Sequence, residues 1–344
     1  MAGPASWDMI FPWAIRVAAT LRIADLIAAG FTSIDELAAE AGADPGALLR
    51  LLRYLACRGV FSQEPDGSFA LTRTARLLRD RGRTGPRALL DLDGIGGRLD
   101  RSFAALLDTV RSGEPAYTKT FGKPFWQDLA DHPELSAAFD AMMATQVSTV
   151  VSEIVSGYPW PAAGHVVDVG GGTGTLLTAV LAAHPGLRGT LVDLPGPAEA
   201  ARRALAEAGL TGRCAVEAGS FFDPLPSDGD LYLLSVVIHD WNDHDARTVL
   251  RRCAQAAGAP QAAGAPQAAG APRAGRVLVI EGLADTDLPA GVSTELDLRM
   301  LVTMGGRERS LDEMRALVES AGMTIARIYR TATRSLIECV PAQP

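Results

Sequence analysis

Apolar side chains recur at helical spacing from about Trp7 to Ala29, and Phe11, Trp13, Ile15, Val17 and Leu21 leave few polar positions there. A helix apolar over so much of its surface needs a partner surface, which predicts a subunit contact. Two short helices are expected over Ile34 to Ala41 and Leu48 to Cys57, the second started by Asp44 as cap and Pro45 at the first helical position. Val60-Phe61 and Phe69 to Leu71, joined through Pro65-Asp66-Gly67, read as a small β-hairpin. Further helices fill Pro86 to Ser156, including a long one from about Pro133 that carries Leu135, Phe139, Met142 and Met143. Met and Phe at this spacing serve equally as core or as pocket wall. From His165 the period changes. Strands at Val166 to Val169, Gly189 to Val192, Cys214 to Glu217, Leu231 to Val237 and Val277 to Ile280 alternate with helices ending near Ala183, Ala208 and Ala257. This alternation predicts an α/β fold with a parallel sheet covered by helices on both faces.

The amino-terminal helices and hairpin together have the outline of a winged helix. Arg50, Arg53 and Arg58 place some positive charge on its second helix, but the chain of 344 residues carries a net charge of -8. Nucleic-acid binding requires clustered cations that release phosphate counterions, so these arginines read as a solvated face and the ligand as a small molecule. The length suggests two domains. Cys57, Cys214, Cys253 and Cys339 show no paired spacing, which fits a reducing compartment and no structural zinc. With no leader pattern at the amino terminus and no apolar run of membrane-spanning length, a soluble cytoplasmic protein is expected. Residues 258 to 275 repeat Gly-Ala-Pro-Gln-Ala-Ala, too short a period and too poor a composition for a core, and read as a flexible loop dispensable for chemistry.

Candidate chemistry gathers at the expected strand ends. Val166-Val-Asp168-Val-Gly170-Gly171-Gly172-Thr-Gly174 is a buried strand breaking into a glycine turn, where a ligand can approach the backbone because no Cβ intervenes. Its Gly-x-Gly-x-Gly spacing differs from the dinucleotide fingerprint, and no Gly-Lys-Ser/Thr follows. With Asp168 in front, it favours S-adenosylmethionine. Asp193 closes the next strand, suited to accept hydrogen bonds from both hydroxyls of a ribose, or else to cap the helix at Pro195. Ser220 and Phe221 follow the third strand and offer a hydroxyl and a ring to adenine. His239 follows the fourth strand, with a titration range suited to a general base. A metal reading through His239, Asp240, Asp243 and His244 competes, but Asn242 and Asp243 are better explained as a helix cap. Glu281 ends the fifth strand and Glu308 lies in Gly305-Gly306-Arg307-Glu308-Arg309, so a sheet wound as proposed would bring both to His239.

Taken together, Asp168-Val-Gly-Gly-Gly-Thr-Gly, Asp193-Leu194-Pro, His239-Asp240-Trp241, Glu281 and Gly305 to Arg309 resemble the S-adenosylmethionine-dependent O-methyltransferases of the plant caffeate type and their bacterial natural-product relatives. The resemblance covers nearly the whole chain. It implies a Rossmann-like, mostly parallel seven-stranded methyltransferase domain over 161–344, pocket helices over 101–160, and a mainly helical winged-helix dimerisation domain over 1–100, hence a homodimer. It further implies His239 as base flanked by Glu281 and Glu308, and an acceptor pocket lined by Trp126, Phe139, Met143, Asp240, Met300 and Met304. Cofactor contacts are implied at Asp168, Gly170, Gly171, Gly172, Gly174, Asp193, Leu194, Ser220, Phe221 and Ser235, with S-adenosylhomocysteine as product and no metal. Ser220 departs from the family, which usually has Asp there. Relatives lacking the histidine decarboxylate or hydroxylate instead, so His239 favours methyl transfer to an aromatic or polyketide hydroxyl over those reactions, and over a winged-helix regulator.

Overall fold

The computed structural model describes residues 8–80, 82, 85–258 and 275–342, so almost all of the repeated segment lies outside the described residues. The chain divides into two compact units, Met1–Ala104 and Ala105–Pro344.

The first unit contains α1 (Phe11–Thr20), α2 (Ile23–Ala28), α3 (Ile34–Ala41), α4 (Pro45–Cys57), the hairpin β1 (Phe61–Gln63) and β2 (Phe69–Leu71), then α5 (Arg73–Leu77), α6 (Pro86–Leu90) and α7 (Ile95–Arg101). The single helix expected to Ala29 is two helices. Arg22 takes a left-handed conformation, φ 55°, and the resulting turn directs Ala14 and Ala18 of α1 and Ile23, Ala24 and Ile27 of α2 into one core with Leu37, Leu52 and Phe61. Two caps set the next boundaries. The Ser33 and Glu36 side chains form a reciprocal capping box at α3, and Asp44 accepts the Ala47 N–H at 2.8 Å to start α4. Arg50, Arg53 and Arg58 are exposed, and Arg58 is engaged by Asp8 and by the face of Tyr54.

The second unit begins with α8 (Leu106–Ser112), α9 (Ala116–Phe121), α10 (Phe125–Asp131) and the long α11 (Pro133–Gly157). Alternation follows through β3 (Gly164–Val169), α12 (Thr175–Ala183), β4 (Leu187–Asp193), α13 (Pro195–Glu207), β5 (Cys214–Ala218), β6 (Leu231–Ser235), α14 (Asp243–Gly258) and β7 (Arg276–Glu281). After α15 (Ala290–Thr303) and α16 (Leu311–Ser320), β8 (Met323–Arg330) and β9 (Ser335–Pro341) complete the sheet. The strand order is β5-β4-β3-β6-β7-β9-β8, with the first five parallel and β9 antiparallel to both β7 and β8. This is the seven-stranded Rossmann-like sheet. Central strands read as near-continuous apolar runs because both faces are covered; Val167 and Tyr232 pack on one side, Val166 and Leu233 on the other. The order reverses between β3 and β6, and a crevice opens outside the carboxyl ends of strands at such a switch point. Both candidate motifs lie at those two ends. Among the described residues, no helix is long and apolar enough to cross a membrane.

Candidate active site

The turn after β3 uses its glycines for identifiable reasons. Gly170, Gly172 and Gly174 have φ of 74°, 57° and 78°, and a Cβ on Gly170 would lie 2.9 Å from Val237 Cγ2 and 3.3 Å from the Phe221 ring. Gly171 is confined differently: its Cβ would come within 2.7 Å of the Asp168 carboxylate. Asp193, at the end of β4, accepts the Gly172 N–H on Oδ2 and the Leu194 N–H on Oδ1, each at 2.7 Å. It therefore fastens the glycine turn rather than capping α13, and each oxygen retains a further lone pair for a ligand hydroxyl. Ser220 Oγ accepts the Phe222 N–H at 3.2 Å.

Three carboxyl groups gather on this side of the crevice. Asp168 is buried with Oδ2 unpartnered, and burial, then the charge of Asp193, pushes its pKa up to about 7. Burial raises Asp193 too. A third carboxylate, which the sequence did not disclose, arrives on α11. Asp140 follows Ser136 by four residues, and Ser136 lies beside Gly196 at the start of α13; burial and Asp193 lift Asp140 to about 7. An unpaired buried carboxyl oxygen costs about 1–3 kcal/mol, a cost that a cationic, hydrogen-bonding ligand would offset. Ser235 Oγ, at the end of β6, is likewise buried without a partner. Turn, carboxylates and hydroxyl suit a sulfonium nucleoside.

The segment after β6 turns sharply. Val236 adopts φ 57°, a conformation that costs a β-branched residue about 1–3 kcal/mol. Glu281, at the end of β7, binds the turn from beneath: its Oε1 accepts the N–H groups of Val237, Ile238 and His239 at 3.2, 2.9 and 3.3 Å. The His239 ring meets Glu308 directly, Nδ1 to Oε1 at 2.9 Å, while Glu281 Oε2 is 4.0 Å from Nδ1 and Asp240 Oδ1 is 3.4 Å from Nε2. The two glutamates thus differ: Glu308 orients the ring and Glu281 mainly holds the backbone. Burial alone would lower the His239 pKa, but Glu281, Asp240 and Glu308 together outweigh it and raise it to about 10. The ordinary histidine range expected from sequence does not apply. Asp240 is itself raised to about 7, chiefly by burial.

Asn242 caps α14 as expected, its Oδ1 accepting from His244 and Asp245. Asp243 does not cap; it receives the guanidinium of Arg309 at 2.8 Å. Above the turn lies an aromatic series. Trp241 stacks on Trp126, with centroids 6.2 Å apart and planes at 22°, and meets Phe221 edge to face; Trp126 meets Phe139. Trp241, passed over as a site residue, links the expected acceptor wall to the cofactor side. Met143 follows Phe139 by one helical turn, Met300 is buried on α15, and Met304 leads into the Gly305 loop.

Comparison with known proteins identifies the family. Residues 103–324 match the O-methyltransferase domain and residues 7–81 the O-methyltransferase dimerisation domain. The chain belongs to the O-methyltransferase family. It is 45% identical over 331 residues to 2,7-dihydroxy-5-methyl-1-naphthoate 7-O-methyltransferase of Streptomyces carzinostaticus, covering 96% of this chain and 95% of that one. It is 42% identical to the aclacinomycin 10-hydroxylase RdmB of Streptomyces purpurascens, covering 93% and 83%. The crystal structure of the neocarzinostatin-biosynthesis O-methyltransferase NcsB1, in complex with S-adenosylmethionine and 2-hydroxy-5-methyl naphthoic acid, superposes with a TM-score of 0.88 at 44% identity over 99% of each chain.

Proposed function

We propose that this O-methyltransferase moves a methyl group from S-adenosylmethionine to a hydroxyl of an aromatic, polyketide-type acceptor in line, with His239 receiving the hydroxyl proton. The observation that carries this reading is the His239 imidazole at the β6 end, with Nδ1 fixed by Glu308 and Nε2 left beside Asp240. When bound, S-adenosylmethionine supplies an electrophilic methyl carbon on a positive sulfonium. Asp168 and the glycine turn hold the nucleoside side, and Asp193 supplies its free lone pairs to the ribose. Trp126, Phe139, Met143, Met300 and Met304 present apolar surface to a flat acceptor, and Asp240 contacts its polar edge. A phenol has a pKa of about 10, so its proton must be withdrawn for rapid attack at neutral pH. The neutral imidazole takes it at Nε2; because the carboxylates around the ring stabilise the imidazolium and raise the pKa to about 10, this form is the minor one at neutral pH and grows as pH rises.

The chemistry of the relatives supports an aromatic acid as acceptor, and exposed Met9 and Ile10 just before α1 and Trp13 within it support a homodimer through the amino-terminal helices. The relative named as a hydroxylase keeps a second reading in view, in which the same fold hydroxylates or decarboxylates. Incubation with S-adenosylmethionine and dihydroxynaphthoic acids, followed by product mass, separates them. A gain of one methyl group is expected; a gain of one oxygen or a loss of carbon dioxide would overturn the proposal.

A further inference from the structure

With Glu308 on the His239 ring and Glu281 on the backbone N–H groups, the reading of His239 as proton acceptor, on which this inference rests, leaves open what holds the carbonyls of its segment, which begins with a residue in an unfavourable conformation. A strained turn with few restraints would relax and carry the imidazole with it.

Arg309 supplies the missing restraint. It is buried, and its guanidinium donates to two carbonyls of the segment, Nη1 to Ile238 O at 3.0 Å and Nη2 to Trp241 O at 2.9 Å, as well as to Arg307 O of its own loop at 3.4 Å and to Asp243 Oδ1 of α14 at 2.8 Å. Nε adds a second bond to Asp243 Oδ1 at 3.1 Å. His239 lies between the two carbonyls so held. The neighbouring loop closes the remaining freedom: Arg307 N–H donates to His239 O at 2.9 Å, and any Cβ on Gly306 would collide with that same carbonyl. Glu281 grips the N–H groups of the segment while Arg309 grips its carbonyls.

The fork matters here. A forked guanidinium donates at once to carbonyls three residues apart and to a carboxylate; an ammonium is a point donor and satisfies fewer of them. Arg309 also directly follows Glu308, so the residue that orients the ring and the residue that clamps its backbone move as one piece.

We propose that Arg309 is a positioning residue for methyl transfer, clamping the strained Val236 to Trp241 segment so that the His239 imidazole stays aligned with the acceptor hydroxyl. It touches neither cofactor nor acceptor and acts through His239.

The test uses full-length Arg309→Lys, with turnover, acceptor KM, S-adenosylhomocysteine affinity by calorimetry and melting temperature measured together. Misplacement of a reacting group by about 1 Å costs on the order of 100-fold. The expected result is a kcat lower by roughly 10- to 100-fold, with KM and cofactor affinity within about threefold of wild type. In a His239→Gln background the same substitution should have no further effect, because two residues acting as one unit are not additive. Should Arg309→Lys fail to fold, the half-exposed Asp243→Asn decides, with a kcat loss of a few-fold and the same loss of effect in the His239→Gln background.

Strain is tested separately by its sign. At an ordinary φ, Gly is less stable than Ala, but at φ 57° the order reverses, so Val236→Gly should melt above Val236→Ala while turning over more slowly than wild type. A kcat within threefold in the folded Arg309→Lys protein, or an equal loss of cofactor affinity, overturns the proposal. So does a turnover loss that persists undiminished in the His239→Gln background. Wild-type turnover by His239→Gln alone would instead remove the proton-acceptor reading, a distinguishable outcome.

Discussion

The two sides of the strand-end crevice are built on different plans. On the β3 and β4 side, the glycine turn, Asp168 and Asp193 come from two consecutive strand–helix units, joined by the Asp140 carboxyl from α11 and the Ser235 hydroxyl from the end of β6. On the β6 side, one imidazole is held by residues from the β7 end and from a loop about seventy positions farther along the chain. The first side requires the absence of side chains, since a Cβ at Gly170 or Gly171 would strike its neighbours. The second requires many side chains to fix a single one. A pocket that binds a nucleoside needs close approach, whereas a proton transfer needs alignment, and under the proposed function the two sides would answer these demands separately.

That separation is open to experiment. Replacing His239 with Ala should lower turnover by about 10²- to 10⁴-fold and leave S-adenosylhomocysteine affinity, measured by calorimetry, almost unchanged. Asp193→Ala should do the reverse. Removing a charged acceptor of two backbone N–H groups costs about 1.5–3 kcal/mol, roughly 10- to 100-fold in cofactor affinity, with much of kcat recovered at saturating cofactor. If either substitution damages binding and turnover equally, the two sides are coupled and the comparison fails.

The pH dependence sharpens it further. Because three carboxylates raise the His239 pKa to about 10, its neutral, proton-accepting form grows only as pH rises toward that value. The acid limb of kcat/KM, which reports the free enzyme, should lie well above 6.5 and climb with pH, and Glu308→Gln should move it downward. A limb at or below 6.5 would show that the carboxylates do not act on the imidazole as their distances imply. The smallest effect concerns Asp140: Asn there should weaken the cationic S-adenosylmethionine a few-fold more than neutral S-adenosylhomocysteine, since this carboxyl, lifted to about 7 by burial and Asp193, is only partly ionised at neutral pH. Equal changes for both ligands would remove Asp140 from the electrostatics of the cofactor side.

The β3 and β4 side, where the cofactor is proposed to bind, was legible in outline because its signals are local. Asp168, the glycine turn and Asp193 sit at strand ends that alternating patterns disclose, and glycine at a turn reports a left-handed conformation directly. His239 was legible for the same reason, and Glu281 because it ends a strand. What each does was less so. A sequence does not show that Glu281 spends one oxygen on three backbone N–H groups, or that Val236, a residue that ordinarily avoids positive φ, occupies one. Arg309 carried no role beyond its place in the Gly305 to Arg309 motif, and Asp243 read as a cap, because their partnership spans sixty-six positions. The break at Arg22 was hidden by an apolar pattern that continues through it, and β8 and β9 were not located individually because they follow no strand–helix alternation.

The central claim is that His239 removes a proton from the acceptor, and it is tested most directly by comparing wild type with His239→Gln across aromatic acceptors of falling hydroxyl pKa. The account predicts a large turnover deficit with ordinary phenols that shrinks toward unity for nitro-substituted phenols already ionised at the assay pH. A deficit that stays constant across the series, or no deficit at all, would contradict it.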